Sequence, residues 1–522
     1  IFGGYFLAVV PLPAWLACLC SYWLGSGGGA RGWAALAVLM LPVLLVSVDN
    51  TVLSFALPEI SVALAPSGAE QLWIIDVYPL VLAGLLDNMG TLGDRFGRRR
   101  MLLIGATGFA AVSALAAFAP TAGLLIAARA LLGFFGAMLM PSTLSLLRSI
   151  FVNRDQRRFA IAVWASAFSA GSALGPIVGG FLLEHFSWGS VFLIAVPVLI
   201  PLLIGAPLLV PESRDPHPGR IDLISILLSM GAMIPVVYSI KSLAVDGPSL
   251  TAAAWAALGV LMGVLFVRRQ LRAETPMLDM KLFRQGTFSG AILVNLLSVV
   301  ALVGFLYFVS QHLQLVLGLS PMAAGLALVP GMAMMIVAGL AVVPISRRVS
   351  PHIVVPSALV FSVAGYLLVA FATSDHGVAP LVLAFAVLGI GIGAAETIWN
   401  ELFLSSAPPA KAGAARAVSE TAYELGAVLG TAVLGGIITA FYRGALMIPA
   451  GIPADAAAHA RETLAGAYTA AQELPAAAGA ALWDAATAAF GFGVVVTSLI
   501  GAALVVVAGV IAAVTLRPGA QR

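Results

Sequence analysis

The chain has 522 residues, 61% of them hydrophobic and only 9% charged, with a formal net charge of +3. That is more apolar material than the core of a water-soluble domain absorbs, and it falls in runs of roughly 20 residues or more, the length that crosses a bilayer as a helix. So small and dispersed a net charge gives no ground for a nucleic-acid partner, and Cys18 and Cys20, the only cysteines, sit too close for a structural disulfide framework or a thiolate metal site.

Lipid leaves only helices and closed barrels able to satisfy their backbone, and continuous rather than alternating apolar runs select helices. The expectation is an all-α polytopic membrane protein. Residues 1–30 begin without Met and carry an apolar run broken by Pro11 and Pro13, followed by the linker Gly25-Ser26-Gly27-Gly28-Gly29. This segment reads as a signal-like sequence, an extra membrane helix, or sequence outside the working protein. From Arg31 onward, spans of about 20 residues fall near 33–57, 71–92, 101–119, 123–147, 159–182 and 190–210, which make one group of six within 31–211. A polar hinge, Pro211 to Arg220, opens an inserted region (212–286) with spans near 222–243 and 251–268. The remaining part, 287–522, holds spans near 287–314, 322–345, 352–373, 379–404, 414–441 and 488–514. Its long connection at 442–487 is Ala-rich, and Asp455 to Leu474 reads as one amphipathic helix between prolines, either a cover for the outer mouth or a passive hairpin.

Numbered 1 to 14 from the inside, the spans sort the basic residues. Arg31, Arg95, Arg98 to Arg100, Arg148, Arg154, Arg214, Arg220, Arg268, Arg269, Arg347, Arg348 and Arg517 all lie on one side, whereas Lys241, Arg443 and Arg461 alone lie on the other. Cytoplasmic connections carry the lysines and arginines, so both termini of the 14-span core are expected in the cytoplasm, together with Gly90 to Arg100 (GTLGDRFGRRR), read as a short connector. In that connector Gly90, Asp94, Arg95, Gly97 and Arg98 are expected to gate conformational change. Asp94 would act as a latch among Arg side chains or at a helix N-terminus.

An ionisable group within a span costs at least a few kcal/mol unless it is paired or hydrated, so each is a functional candidate. Spans 1, 2 and 4 carry Asp49, Asp76 and Arg129, about eight, five and six residues from their outer ends, which puts them at one depth. One arginine near two carboxylates leaves one of them paired and the other free to exchange a proton; a static ion-pair network is the alternative. Glu420 and Glu424 share a face of span 13, and Glu396 on span 12 reaches the depth of Glu424. With Trp399 and Tyr423 they form a substrate site suited to an organic cation, through charge and cation–π attraction. Asp87, about 20° from Asp76 in projection, extends the acidic stripe or bonds locally, and Glu401 falls in the interfacial zone.

Span 5 reads Gly171-Ser-Ala-Leu-Gly175-Pro176-Ile-Val-Gly179-Gly180, glycines at four-residue spacing that let another helix approach closely, with a proline that interrupts the hydrogen-bond ladder. With these residues on the page, the chain resembles the major facilitator superfamily, in particular its 14-helix drug:proton antiporter branch of the QacA, SmvA and LfrA type, and most of all the LfrA-type fluoroquinolone and dye pumps. Gly90, Leu92, Asp94, Arg95, Gly97, Arg98 and Arg99 match the loop 2–3 motif of that superfamily. Arg129 and Gly133 match its helix 4 motif, and Gly171, Gly175, Pro176, Gly179 and Gly180 its antiporter motif. Asp49-Asn-Thr51-Val with Ala56-Leu57-Pro58, and Glu420-Thr-Ala-Tyr-Glu424-Leu-Gly426, resemble signatures of the branch. Trp188-Gly189, Val196-Pro197, Asp87-Asn88 and Glu396 depart from its pattern.

The resemblance implies two six-helix halves with helices 7 and 8 inserted, in a bacterial plasma membrane. It also implies alternating access, export of lipophilic cations such as ethidium, quaternary ammonium compounds and fluoroquinolones, no cofactor beyond the proton gradient, and a monomer. Asp49 and Asp76 would serve proton coupling or cation recognition, and Glu420 and Glu424 the polyspecific pocket. A dedicated exporter of one cationic metabolite or lipid, and a non-transporting scaffold, are the competing readings. No nucleophile–base pair, phosphate loop or metal cluster marks an enzyme.

Overall fold

The structure is a computed structural model that describes residues 30–215, 222–273, 276, 278, 280, 282–346, 348–372, 377–406 and 412–516. Among these it has fourteen helices long and apolar enough to cross a membrane. They are α1 (Ala30–Leu64), α2 (Gly68–Phe96), α3 (Arg98–Ala116), α4 (Ala122–Ile150), α5 (Arg154–His185) and α6 (Ser190–Leu209), then the inserted α7 (Leu223–Asp246) and α8 (Leu250–Arg272). The second six begin with α9 (Gly286–Val316), α10 (Pro321–Ser346), α11 (Pro351–Ala372) and α12 (Val378–Ser406). α13 comprises Ala412–Leu429, a π-helical stretch Gly430–Gly435 and Gly436–Ala445. Two short helices, α14 (Ala454–Glu462) and α15 (Leu464–Glu473), precede the last span, α16 (Ala476–Thr515). The result is two six-helix halves with an inserted pair. The N-terminal segment 1–29 lies outside the described residues.

Local sequence starts the helices where backbone donors need partners. Ser67 caps α2 in a full box with Glu70, Thr121 caps α4, Asp222 caps α7 and Ser249 caps α8, each side-chain oxygen accepting from an otherwise unpaired N–H of the first turn. Two sequence expectations change. Gly90 to Arg100 is not a loop: α2 runs to Phe96 and α3 starts at Arg98, which leaves Gly97 (φ +116°) as the whole connection. Nor is Asp455–Leu474 one helix, because Thr463 is extended (φ −148°, ψ 159°) and its hydroxyl caps α15 by accepting from Gly466 N at 3.0 Å. The last span is also longer than expected, 40 residues from Ala476.

Close packing follows the glycines of α5. A Cβ at Gly171 would lie 1.9 Å from Ser47 Oγ, at Gly175 1.8 Å from Thr51 Oγ1, and at Gly179 2.7 Å from Val52 Cγ2, all on α1. A Cβ at Gly180 would meet the Pro321 carbonyl oxygen at 2.8 Å, and one at Gly325 would meet that of Pro176 at 2.3 Å. The α5 motif therefore holds α1 on one side and α10, from the other half, on the other. The inserted pair is an antiparallel hairpin closed by Ser239 Oγ donating to Ala252 O at 2.7 Å and by an Arg269–Asp222 ion pair at 2.9 Å. Its outer surface presents Leu227, Leu250 and Val260, as a lipid-facing hairpin requires.

At the face opposite the Gly90–Arg100 segment, here the far face, hydrogen bonds join the two halves. Ser310 Oγ donates to Ser54 O at 2.6 Å, Gln314 Nε2 to Phe55 O at 3.0 Å, Gln71 Nε2 to Gln311 Oε1 at 3.3 Å, and Met322 N to Glu184 Oε2 at 3.2 Å. The far face is closed in this state.

Candidate functional site

The buried charges divide differently from the sequence expectation. Arg129, 1% exposed, places Nη1 2.7 Å from Asp49 Oδ2, donates from Nε to Ile74 O at 3.3 Å, and lies over the Tyr78 ring at 4.5 Å. Three partners of different chemistry fix its plane, a geometry that suits the guanidinium fork. A cavity of about 10 Å³ beside Asp49, lined among others by Phe109, Ser113 and Phe192, has room for about one water.

Asp76 is not the under-compensated carboxylate of an Arg129 triad. Its Oδ2 lies 2.8 Å from Lys241 Nζ on the inserted α7, both groups are essentially excluded from solvent, and the ammonium stands 3.7 Å from the centroid of Trp73. Sequence reasoning missed Lys241 as a site residue. The signal was available, since it is an ammonium inside an apolar span and one of three exceptions to the basic-side asymmetry.

The substrate site expected from α12 and α13 is not separate from the Asp49 pair but linked to it. Asn50, next to Asp49, donates to Glu424 Oε1 at 3.4 Å and so links α1 to α13 across the halves. The other oxygen of Glu424 is buried with no hydrogen-bond partner among the described residues, and the residue is only 5% exposed. Tyr423 packs edge-on against Phe168 of α5 at 5.8 Å, again across the halves, within electrostatic range of both Glu396 and Glu424. Glu420, one turn earlier, faces Glu424. Glu396 has no ion-pair partner among the described residues. Trp399 is buried in the main apolar core at 2% exposure, so in this state it is a core ring. Asn50, Phe168 and Tyr78 are partners that a single sequence does not single out. The side chains of Asp87 and Glu401 lie outside the described residues.

At the other face, Asp94 and Arg98 form an ion pair at 2.7 Å, and Arg98 Nη1 donates to Ser213 Oγ at 3.0 Å. Arg99 N donates to Glu212 Oε1 at 3.0 Å and its guanidinium to Val210 O at 2.9 Å. The backbones also pair, Arg98 N to Ser213 O and Asp215 N to Asp94 O, both at 2.9 Å. These partners of Asp94 and its arginines belong to the stretch that follows α6. Gly97 takes a left-handed backbone (φ +116°) that side chains rarely adopt, and a Cβ there would press on the Glu212 carboxylate at 2.9 Å. Gly90 packs near Pro141 of α4, while Arg95 is exposed and stands over Phe96 at 6.0 Å, outside the network.

A model of the Major Facilitator Superfamily matches residues 39–431. The multidrug efflux pump LfrA of Mycolicibacterium smegmatis is 56% identical over 487 residues, which cover 93% of this chain and 97% of that protein. The methyl viologen resistance protein SmvA of Salmonella typhimurium is 36% identical over 464 residues, 88% of this chain and 93% of that one. Among solved structures, a bacterial homologue of the human lysosomal transporter Spinster, inward-facing and unoccupied, superposes with a TM-score of 0.64 at 16% identity, over 94% of this chain and 100% of that chain.

Proposed function

We infer that this chain, which belongs to the Major Facilitator Superfamily, is a proton-coupled antiporter of the bacterial plasma membrane that exports lipophilic, mostly cationic drugs and dyes by alternating access. Two relatives that share most of its length are named as a multidrug efflux pump and a methyl viologen resistance protein, and methyl viologen is an organic dication. The basic face is cytoplasmic in this reading, because the Arg-rich connections gather there.

The observation that carries the reading is Glu424. One oxygen is held by Asn50, the other has no hydrogen-bond partner among the described residues, and the Tyr423–Phe168 aromatic pair stands beside it. A buried carboxylate next to aromatic faces attracts an organic cation through Coulomb and cation–π terms together. The same carboxylate holds a proton when no cation is present. With contributions from α1, α5 and α13, the site draws on both halves, so rocking them apart changes its exposure. Competition between proton and drug for carboxylates exposed alternately to the two sides then suffices for exchange. Asp49, fixed by Arg129 and next to a cavity of one-water size, is the proton-coupling partner, with Asp76. Glu396 and Glu420 complete the acidic lining.

The test is ethidium movement in proteoliposomes with an imposed pH gradient. Gradient-dependent efflux that is lost in Glu424→Gln and Asp49→Asn supports the reading. Wild-type protein that moves no dye under a gradient overturns it.

A further inference from the structure

Among the described residues Lys241 is the one buried ammonium, the transport reading leaves it without a role, and it comes from the inserted pair, which lies outside both six-helix halves. Its surroundings are those of a junction. α2 of the first half supplies Asp76 and Trp73, and α13 of the second supplies Thr431, whose hydroxyl faces the Asp76 carboxylate. From α9 come Tyr307, within electrostatic range of Asp76, and Gln311, whose amide is bonded to Gln71 of α2 at 3.3 Å. Three bodies therefore meet at one ion pair, just beneath the hydrogen bonds that close the far face.

Two further observations mark the place. The described residues include two π-helical stretches, Gly430–Gly435 in α13 and His312–Val316 at the end of α9. Thr431 lies inside the first and Gln311 immediately precedes the second. Such stretches break the regular ladder and recur at functional positions. A small apolar cluster separate from the main core, Leu80, Val237, Val428 and Ala432, also joins α2, α7 and α13, with Trp73 packed on it. The pair thus has an apolar seal of its own drawn from the same three bodies.

We propose that Lys241 is the resident cation of Asp76: in the closed far-face state the ammonium occupies this carboxylate, it leaves when the far face opens, and the inserted α7 is thereby a moving part of the exchange cycle. A carboxylate already paired with a fixed ammonium is unavailable to a proton or a drug, so the ammonium has to withdraw before Asp76 can take part. Trp73 gives it somewhere to go. Trp73 and Asp76 are three residues apart and share a face of α2, and the ammonium already stands 3.7 Å from the ring centroid, so the flexible lysine stem can release the carboxylate and keep a cation–π contact.

The proposal rests on the antiport reading only in giving Asp76 a part in exchange, and its main test does not depend on dye transport. In the 522-residue chain with Cys18 and Cys20 replaced by Ser, Ser310→Cys places a thiol under the closed far face, where Ser310 bonds Ser54. Its labelling by a membrane-impermeant maleimide reports opening. Lys241→Met is expected to raise the labelling rate at least fivefold, Lys241→Arg to restore it, and the double variant Asp76→Asn with Lys241→Met, which leaves no buried charge unpaired, to label as fast as Lys241→Met. In the transport assay Lys241→Met should lower the maximal rate at least tenfold with dye affinity within about twofold. A lysine that served stability alone would lower the yield of folded protein without moving labelling of the folded fraction. Labelling unchanged in both Lys241→Met and the double variant overturns the proposal. Wild-type protein that moves no dye but shows these labelling changes overturns the antiport reading and leaves the resident-cation proposal standing.

Discussion

Asn50 of α1 donates to Glu424 of α13 at 3.4 Å, a hydrogen bond between residues 374 positions apart that joins the two halves. Its neighbour Asp49 pairs with Arg129, so consecutive residues of one helix tie the Arg129 pair to the Glu424 carboxylate. Glu424→Gln keeps a hydrogen-bonding side chain of the same size and removes the charge. Equilibrium binding of ethidium to the purified protein should weaken about tenfold or more, equivalent to about 1.4 kcal/mol, while a neutral hydrophobic probe should shift by less than threefold. Equal losses for both probes would show that Glu424 shapes the pocket without attracting cations.

Arg129 is held by Asp49, Ile74 O and the Tyr78 ring. Truncating it strands a buried carboxylate, and breaking one side of such a pair costs about 3–5 kcal/mol. Arg129→Ala should therefore lose most of its folded yield in detergent, as read by size-exclusion chromatography and thermal unfolding. Arg129→Gln combined with Asp49→Asn should recover much of that yield and still fail to transport. A stable Arg129→Ala protein would mean that the Asp49–Arg129 pair is not what holds these helices together.

The α5 glycines allow a direct steric test. Gly175→Ala places a methyl 1.8 Å from Thr51 Oγ1, whereas a Cβ at Gly123 meets nothing within 4 Å. Gly175→Ala should reduce transport at least tenfold and Gly123→Ala should leave it within about twofold, since overpacking a close helix contact typically costs about 1–3 kcal/mol. Equal behaviour of the two variants would remove close α1–α5 packing from the mechanism.

At the basic face, Asp94→Asn removes the charge that orients Arg98, and Gly97→Ala puts a side chain on a left-handed backbone and displaces the Glu212 carboxylate from Arg99 N. Both should slow turnover about tenfold and leave dye affinity within about twofold, because the network lies at the basic end of the helices, away from the carboxylates proposed to bind drug. Lost affinity with unchanged turnover would refute a conformational role.

The inserted hairpin carries a pH expectation of definite sign. The hydrogen bond from Arg269 pulls the Asp222 carboxyl down from its ordinary 3.8 to about 2. A depressed folded-state value contributes stability above the unfolded value and loses it only as pH falls through the folded one. The destabilisation caused by Asp222→Asn should therefore be the same at pH 7.5 and pH 5.5 in thermal unfolding. A penalty that shrinks between those values would show that the Asp222 carboxyl is held above its ordinary range in the folded protein, the opposite of what this pairing gives, and a penalty near zero at both would show that the pair contributes little.

The fourteen spans were legible because a continuous apolar run of membrane length has few alternatives. The nearness of Asp49 to Arg129 followed from helical rise, and the burial of Asp49, Asp76, Arg129 and Glu424 from the cost of a charge in lipid; the link of Glu424 to Asn50 did not follow. Which charge pairs with which was not legible. The choice of Arg129 between Asp49 and Asp76 depends on the rotation of α2 about its axis, which a sequence with no partner helix does not fix, and α7 takes Asp76 instead. Lys241 was read as a topological exception when it is the counter-ion. The single helix expected at Asp455–Leu474 failed for a local reason: composition favours helix on both sides of Thr463, but its hydroxyl caps the second segment better than its backbone continues the first.

The one-residue join at Gly97 leaves α2 fastened at its two ends to different neighbours. Near the far face it is bound to α7 through Asp76 and Lys241. At the basic face its last turn and the start of α3 are paired, backbone to backbone, with Ser213 and Asp215 in the stretch that follows α6. A tilt of α2 therefore carries α7 and the end of α6 along or breaks one of these fastenings, and in the proposal above the Asp76–Lys241 pair is the one that opens.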